Sequence, residues 1–330
     1  MRYSFYITLV ALFLFFGGMN ENSYSQGSDD TAYRFLKLAS SPRAAALGGN
    51  HVALPSADIS FFHINPGYLS SNMHRNFAIS YVNHIGDLNM GFANGAWKIS
   101  DIGILGVGVR YMNYGTMERR DATGVQHGEF SASDLAFSIG IGRKVAENLN
   151  IGFTTTFVHA SYAEYSSSAI AFNAGLRYTF TDLGLDTGIS ITNAGFQLSE
   201  FDNTSEKLPL DIRVGVSRRL NYIPLRFSVT AHSLNRWKID TQNDNQEPSF
   251  GGYLFRHILF GAELSLSDNV HLRAGYDHLQ HQELKINNRL DTAGFGYGFG
   301  IRYRGITFDF SRNSFSEMGG VTRIGIQTYL

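Results

Sequence analysis

The 330-residue sequence contains no cysteine, which excludes a disulfide framework, a thiolate metal site and a cysteine nucleophile. Charge is scarce: Asp, Glu, Lys and Arg make up 17% of residues and the net charge is −1. That balance gives no electrostatic case for a nucleic-acid partner. Proline is rare, with 6 residues against 35 glycines, while 43% of the chain is apolar, too much for a disordered chain. Long hydrophobic runs are missing as well. The apolar run Ile7 to Phe16 falls short of the roughly 20 residues a membrane-spanning helix needs. A chain of this kind crosses a membrane only as strands.

That run sits behind Arg2 and ahead of Gly17, Gly18 and a polar stretch to Gln26, with small residues at Ser23 and Ser25. A basic start, a short apolar core and small residues before the polar stretch are the marks of a secretory signal peptide. Cleavage is expected near Ser25/Gln26. The chain therefore divides into a signal peptide over 1–25, an N-terminal segment over 26–75 and the remainder over 76–330.

From Phe77 onward the hydrophobic period is two. Ile170, Phe172, Ala174, Leu176, Tyr178 and Phe180 share one face, while Ala169, Ala171, Asn173, Gly175, Arg177 and Thr179 share the other. The same alternation runs through Leu135 to Gly142, Leu210 to Ser217 and Gly294 to Arg304. A soluble sandwich would turn the apolar face inward; an outer-membrane barrel turns it to lipid and lines its lumen with the small and charged face. Segment length favours the barrel, because tilted spanning strands need about 9–11 residues whereas ordinary strands average about 5–6. Aromatic residues also fall near segment ends (Tyr81, Trp97, Tyr111, Tyr178, Phe180, Tyr276, Tyr303, Tyr329), where interfacial girdles sit.

About fourteen strands can be marked, an even number as bacterial barrels require. They lie near 77–84, 88–98, 102–113, 132–143, 149–160, 168–180, 184–193, 209–219, 224–235, 256–266, 269–279, 293–303, 306–312 and 321–330. Tight turns such as Ser100-Asp101, Ser267-Asp268 and Arg304-Gly305 alternate with longer stretches at 114–131, 194–208, 236–255 and 280–292. Short periplasmic turns and long outer loops are the barrel pattern, which places both termini in the periplasm and the long loops outside. The expected fold is all-β: a single antiparallel transmembrane barrel in the bacterial outer membrane, in contact with its lipid. In strand 88–98 the apolar residues switch face between Phe92 and Trp97, around Asn94-Gly95, which either a bulge there or a different strand boundary would explain.

By parity the lumen face carries Arg110, Lys144, Arg177, Asp211, Arg213, Arg226, Glu263, Arg273, Asp277, Arg302, Asp309 and Arg323. Buried charges of both signs must be paired or hydrated, so mutual pairing and pairing with an internal plug is the reading taken, ahead of an anion conduit. His278 and His281 lie just beyond a strand and read as a solvated pair rather than metal ligands. Asp240, Asp244 and Glu247 match no calcium loop. No Gly-x-Ser-x-Gly element or phosphate-cradling glycine loop is present, and no Ser-His pair stands out, so no catalytic residue and no cofactor site is assigned.

One stretch breaks the strand period. Tyr33 to Leu38 leads into Ser40-Ser41-Pro42-Arg43, then Ala44-Ala45-Ala46-Leu47-Gly48-Gly49, and the stretch closes on Phe61-Phe62-His63-Ile64-Asn65-Pro66-Gly67. Small residues and a Gly pair suit close backbone packing against a glycine-rich lumen wall. Arg34, Lys37 and Arg43 are placed to pair with lumen carboxylates such as Asp211, Glu263 or Asp309. The run from Phe35 to Gly49 resembles the N-terminal signature of the PorV/PorQ family of type IX secretion outer-membrane proteins, which are related to the FadL-type transporters. Asn65-Pro66-Gly67 resembles the Asn-Pro-Ala step of those proteins, with Gly67 where Ala is usual. The resemblance implies a fourteen-stranded barrel plugged by its own N-terminal segment, with Arg43, Gly48, Gly49, Asn65, Pro66 and Gly67 as the plug motif. It also implies a non-catalytic anchor in the cell-surface attachment complex, holding a PorZ-like protein alongside PorU and PorV, with proteolysis and cargo attachment left to PorU. The alternative is a FadL-type channel for hydrophobic small molecules, which requires an apolar pocket between plug and wall.

Overall fold

The computed structural model describes residues 31–329, apart from 56, 57, 85, 87, 122, 203, 245, 286–290 and 316–318; the expected signal peptide lies outside the described residues. Fourteen antiparallel strands form a closed barrel in which each strand pairs with its sequence neighbours and β1 pairs with β14. The strands are β1 (Asn76–Asn83), β2 (Asn89–Ile99), β3 (Gly103–Arg120), β4 (Gln126–Ala146), β5 (Leu149–Tyr162), β6 (Tyr165–Phe180) and β7 (Leu185–Ser199). They continue as β8 (Asp211–Arg219), β9 (Leu225–Ala231), β10 (Ile258–Ser267), β11 (Val270–Asp277), β12 (Phe295–Tyr303), β13 (Ile306–Ser314) and β14 (Gly320–Tyr329). Closure follows from the seam register, with Asn76 opposite Tyr329 and Asn83 opposite Thr322. One end of the barrel carries the tight turns and the other carries the longer connections.

The alternation read from sequence is the sidedness of the wall. On β4, Leu135, Phe137 and Ile139 point outward and are exposed, while Ala136, Ser138 and Gly140 face the lumen and are buried. Arg110, Arg177, Asp211, Arg213, Glu263, Arg273, Asp309 and Arg323 are buried in the lumen as expected. Lys144 is instead exposed at a strand end beside a turn, and Arg302, also exposed, lies at the rim of the lumen with its Nε on the Thr307 hydroxyl at 3.3 Å.

Three local expectations are corrected. Most of 114–131 is strand, because β3 and β4 extend their ladder through Thr116↔Ser131, Met117↔Phe130 and Glu118↔Glu129. Likewise β7 runs on to Ser199, inside the expected loop 194–208. Strand β2 has no bulge: its register against both β1 and β3 is continuous through Asn94 and Gly95. Met90, Phe92, Asn94 and Ala96 all face inward. The apparent switch arises because Met90 and Phe92 pack on the plug, while Trp97 faces out against Phe77 at 5.1 Å.

The 236–255 connection holds a helix, Phe250–Arg256, capped by Ser249. The 280–292 connection begins within a second helix, His278–Leu284, capped by Asp277. His278 and His281 thus share a helix with their rings stacked 6.1 Å apart. His281 engages Ala293 O at 3.0 Å and His278 the Tyr276 hydroxyl at 3.2 Å.

Candidate functional site

The lumen is filled by residues 31–75. Tyr33 takes a left-handed backbone (φ 56) and starts a 3-10 turn over Arg34–Lys37. A short helix of five residues, Pro42–Ala46, follows. Proline suits its first turn because that N–H has no helical partner, and the Ser41 hydroxyl accepts from Ala44 N at 3.2 Å. Two glycines with positive φ, Gly48 (+88) and Gly49 (+147), end it. Further 3-10 turns at Ile59–His63, Pro66–Tyr68 and Ser71–Met73 carry the chain to β1, the first two capped by Asp58 and Asn65.

Polar capping lets this irregular backbone be buried. Leu47, Ile59, Phe61, Phe62, Tyr68 and Leu69 are wholly inaccessible. The wall meets the plug with glycine: a Cβ on Gly275 would lie 1.9 Å from Leu47 C, and one on Gly188 would lie 2.0 Å from Val52 O. Gly152 stands in the same relation to Pro66 O at 2.2 Å. Plug backbone therefore lies directly on wall backbone.

Asn65 uses its whole amide. Its Nδ2 donates to Val52 O and to Leu176 O, both at 3.0 Å, and its Oδ1 accepts from Gly67 N at 2.9 Å. It thereby ties the Asn65-Pro66-Gly67 step to the barrel wall. Tyr68 lies under the Arg177 guanidinium, 4.4 Å from its centroid, and its hydroxyl accepts from Leu54 N at 2.7 Å.

Charge holds the plug toward the turn end. Arg43 donates to both Glu263 oxygens, at 2.9 Å from Nε and 2.8 Å from Nη2. Glu263 also accepts from Arg273 Nε at 2.7 Å, and Arg273 continues to Asp309. Elsewhere Arg213 clamps Asp211 through Nε at 2.9 Å and donates to Asn50 O at 2.7 Å. Among the plug cations considered from sequence, Arg43 pairs with Glu263. Asp309 is taken by Arg273 and Asp211 by Arg213.

Among the described residues, chambers remain around the plug. A turn-end chamber of about 320 Å³ contains the Arg43–Glu263–Arg273–Asp309 chain. A charged loop-end chamber of about 300 Å³ lies between the plug and the β8–β14 side of the wall. The largest, about 540 Å³, is at the loop end and is walled by Tyr33, Tyr114, Tyr162, Tyr165 and Phe201, with Arg34, Asp202 and Glu206 among its polar lining residues. Behind it Asp134 accepts from Tyr114 at 2.6 Å and from Tyr162 at 3.0 Å, fixing both rings. Sequence reasoning missed this aromatic wall. Its one local signal was Tyr33, adjoining the plug motif; Tyr114 fell in an expected loop.

Among its described residues, the 232–257 connection forms a hydrogen-bonded cap rather than a free loop. Arg256 donates to Ile239 O at 2.6 Å and to Asp244 at 2.7 Å, and His257 stacks on Trp237 at 5.3 Å. Hydrogen bonds from Arg256 hold the Asp244 carboxyl below its ordinary value. A depressed carboxylate stabilises above its unfolded value of about 3.9 and loses that contribution as pH falls through the lower folded value. Protease nicking of this cap should therefore rise severalfold on acidification below about pH 4. Arg256→Gln should raise it at neutral pH and remove the acid step. Unchanged nicking in the variant would exclude the clamp.

No known family's sequence profile matches this chain, and no curated protein does. Solved structures do match in fold. The Pseudomonas putida toluene transporter TodX superposes with a TM-score of 0.56 at 10% identity, covering 88% of this chain and 96% of that one. A TodX monoaromatic hydrocarbon channel mutant gives 0.53 at 12% identity, covering 87% and 96%. A Pseudomonas aeruginosa FadL homologue gives 0.50 at 12% identity, covering 88% and 98%. The molecule has the fold of a FadL-type outer-membrane barrel.

Proposed function

We propose that this chain is a non-catalytic, plugged barrel of the bacterial outer membrane that takes up small hydrophobic molecules at its loop end. The observation that carries the reading is the aromatic chamber between Tyr33 of the plug and Tyr114, Tyr162, Tyr165 and Phe201 of the surrounding chain. A pocket of a few hundred Å³, mainly apolar with a few convergent polar groups, is the usual form of a small-molecule site. The FadL-type fold supports the reading, since the TodX structures are described as those of a toluene transporter and a monoaromatic hydrocarbon channel. Tyr165 is 45% exposed, so its ring can be removed without opening the core. Toluene should bind the detergent-purified barrel in ligand-observed NMR, and Tyr165→Ala with Phe201→Ala should weaken it about tenfold, the scale of one or two lost ring contacts. Absence of toluene binding to the wild-type barrel would remove the reading.

A second reading has its own support. The Phe35–Gly49 run resembles the PorV/PorQ signature, and its Arg43, Gly48 and Gly49 each make a close plug–wall contact. In that reading the clamped plug is permanent and the outer surface, including the hydrogen-bonded 232–257 cap, anchors a PorZ-like partner with PorU and PorV. A deletion strain separates the two. Loss of uptake of a hydrophobic substrate with normal cargo attachment supports the channel; normal uptake with failed attachment, and co-purification of secretion proteins from outer membranes, supports the anchor.

A further inference from the structure

The charged loop-end chamber contains features that neither reading uses. Arg323, on β14, is only 6% exposed. Its Nη1 donates to Asn313 Oδ1 at 2.6 Å, and Asn313 in turn donates to Ala45 O at 2.9 Å. Among the described residues no carboxylate pairs with it, and its Nε–H is buried without a hydrogen-bond partner. A buried guanidinium in that state is costly. Arg110, a second buried arginine without a carboxylate among the described residues, is different: it donates to Leu36 O at 3.1 Å and borders a void of only about 10 Å³. Arg323 opens on a chamber of about 300 Å³.

Three more buried polar atoms without partners belong to residues lining that same chamber: His84 Nδ1, His232 Nε2 and Asn50 Oδ1. The Asn50 amide is oriented by donating its Nδ2 to Lys37 O at 3.0 Å, so its oxygen is an acceptor. Arg34, Lys37 and Arg236 add positive charge to the lining; of its three carboxylates, Asp211 is clamped by Arg213, Asp277 caps the His278–Leu284 helix by accepting from Gln280 N, and Glu283 lies on that helix. Burial, and then the nearby Arg323 charge, lower the His84 pKa, which keeps that ring neutral at physiological pH and Arg323 the local cation.

We propose that this chamber binds a phosphate-type oxyanion at Arg323. Its unprotonated oxygens accept from Arg323 Nε–H and from neutral imidazole N–H groups of His84 and His232. Asn50 Oδ1 requires a donor on the ligand, which hydrogen phosphate, or the monoanion of a phosphomonoester, supplies through its O–H and which sulfate and a carboxylate lack at neutral pH. A charge-assisted hydrogen bond of this kind is stronger than a neutral one. The chemistry is the same for free phosphate and for the headgroup of a phosphatidate. The inference does not rest on the apolar chamber, whose lining does not include Arg323, and toluene binding should be the same in the Arg323 variant below.

Titration calorimetry on the full detergent-purified barrel, in phosphate-free buffer, tests this with three probes: inorganic phosphate, dihexanoyl phosphatidic acid below its micellar concentration, and sulfate. Wild type should bind phosphate, with sulfate at least tenfold weaker. Arg323→Gln, checked for the heat-modifiable folded band, should lose at least tenfold. Arg34→Gln, at an exposed plug position, should lose severalfold without any effect on folding. Tighter binding of phosphatidate than of phosphate assigns a lipid headgroup, and equal or weaker binding assigns the free ion. Failure of wild type to bind either phosphate probe, sulfate binding as tightly as phosphate, or affinities unchanged in both variants would overturn the site.

Discussion

Replacing Glu263 with Gln should release the plug while leaving the barrel closed. Glu263 is the one carboxylate that receives both Arg43 from the plug and Arg273 from the wall. Its side chain is 10% accessible and that of Arg43 is 12%, so water does not screen the pair as it would at a surface. Arg273 keeps Asp309 in the variant, whereas Arg43 loses both of its hydrogen bonds to Glu263. Removing one member of a buried pair costs up to about 3–5 kcal/mol. If the plug opens and recloses faster than trypsin cuts, that loss raises cleavage at Lys37 and Arg43 by up to roughly a hundredfold. The strands should still run as the folded species on an unheated gel, since their ladder hydrogen bonds are untouched. Arg43→Met with Glu263→Gln removes the cation together with its carboxylate and should recover much of the protection. Trypsin resistance equal to wild type in the single variant would mean that the plug is held by packing alone.

Gly275→Val should have a comparable effect by a different route. The added Cβ would overlap Leu47 C at 1.9 Å and Gly48 N at 2.2 Å. Both are backbone atoms of the plug, which cannot rotate away as a side chain can. Ordinary overpacking costs about 1–3 kcal/mol, and here relief requires the plug to move off the wall. Planar-bilayer conductance should rise well above wild type as the lumen opens. Gly91, where an added Cβ meets nothing within 4 Å, supplies the control: Gly91→Ala should stay closed and protease-resistant. If Gly275→Val conducts no more than wild type, the plug has slack at this contact and the close approach does not hold it.

What was legible in the sequence follows from where two different solvents meet the wall. Lipid outside and a crowded lumen inside impose strict alternation, and a slip of one residue would turn every side chain over. All fourteen strands could therefore be marked. The pattern fails where the two sides stop differing. Thr116 to Glu118 and Glu129 to Ser131 pair beyond the apolar band, so the ladder there carries no hydrophobic period. On β2 the inner face turns apolar because Phe92 and Met90 meet Phe35 and Leu36, and a strand with two apolar faces imitates a bulge. The plug motif was visible as small residues and an Asn-Pro-Gly turn, and Arg43 as a cation needing a partner. Which carboxylate it takes depends on a contact across 220 positions, which no local pattern records. The aromatic chamber is of the same kind, since Tyr33 meets Ser167 across 134 positions.

The route of the plug has a consequence for the display of the chain's ends. Thr31 bridges to Lys207 in the connection between β7 and β8, at the loop end. Tyr329 pairs with Asn76 at the turn end. The expectation that both termini share the turn end thus holds for the C-terminal strand, while the first described residue stands at the opposite mouth. An even number of strands returns a chain to the side it started from; one further passage, made by the plug through the lumen, makes the count odd. The polypeptide is threaded through its own ring, so the side of the membrane presented by the last strand is not the side presented by the first residues of the plug.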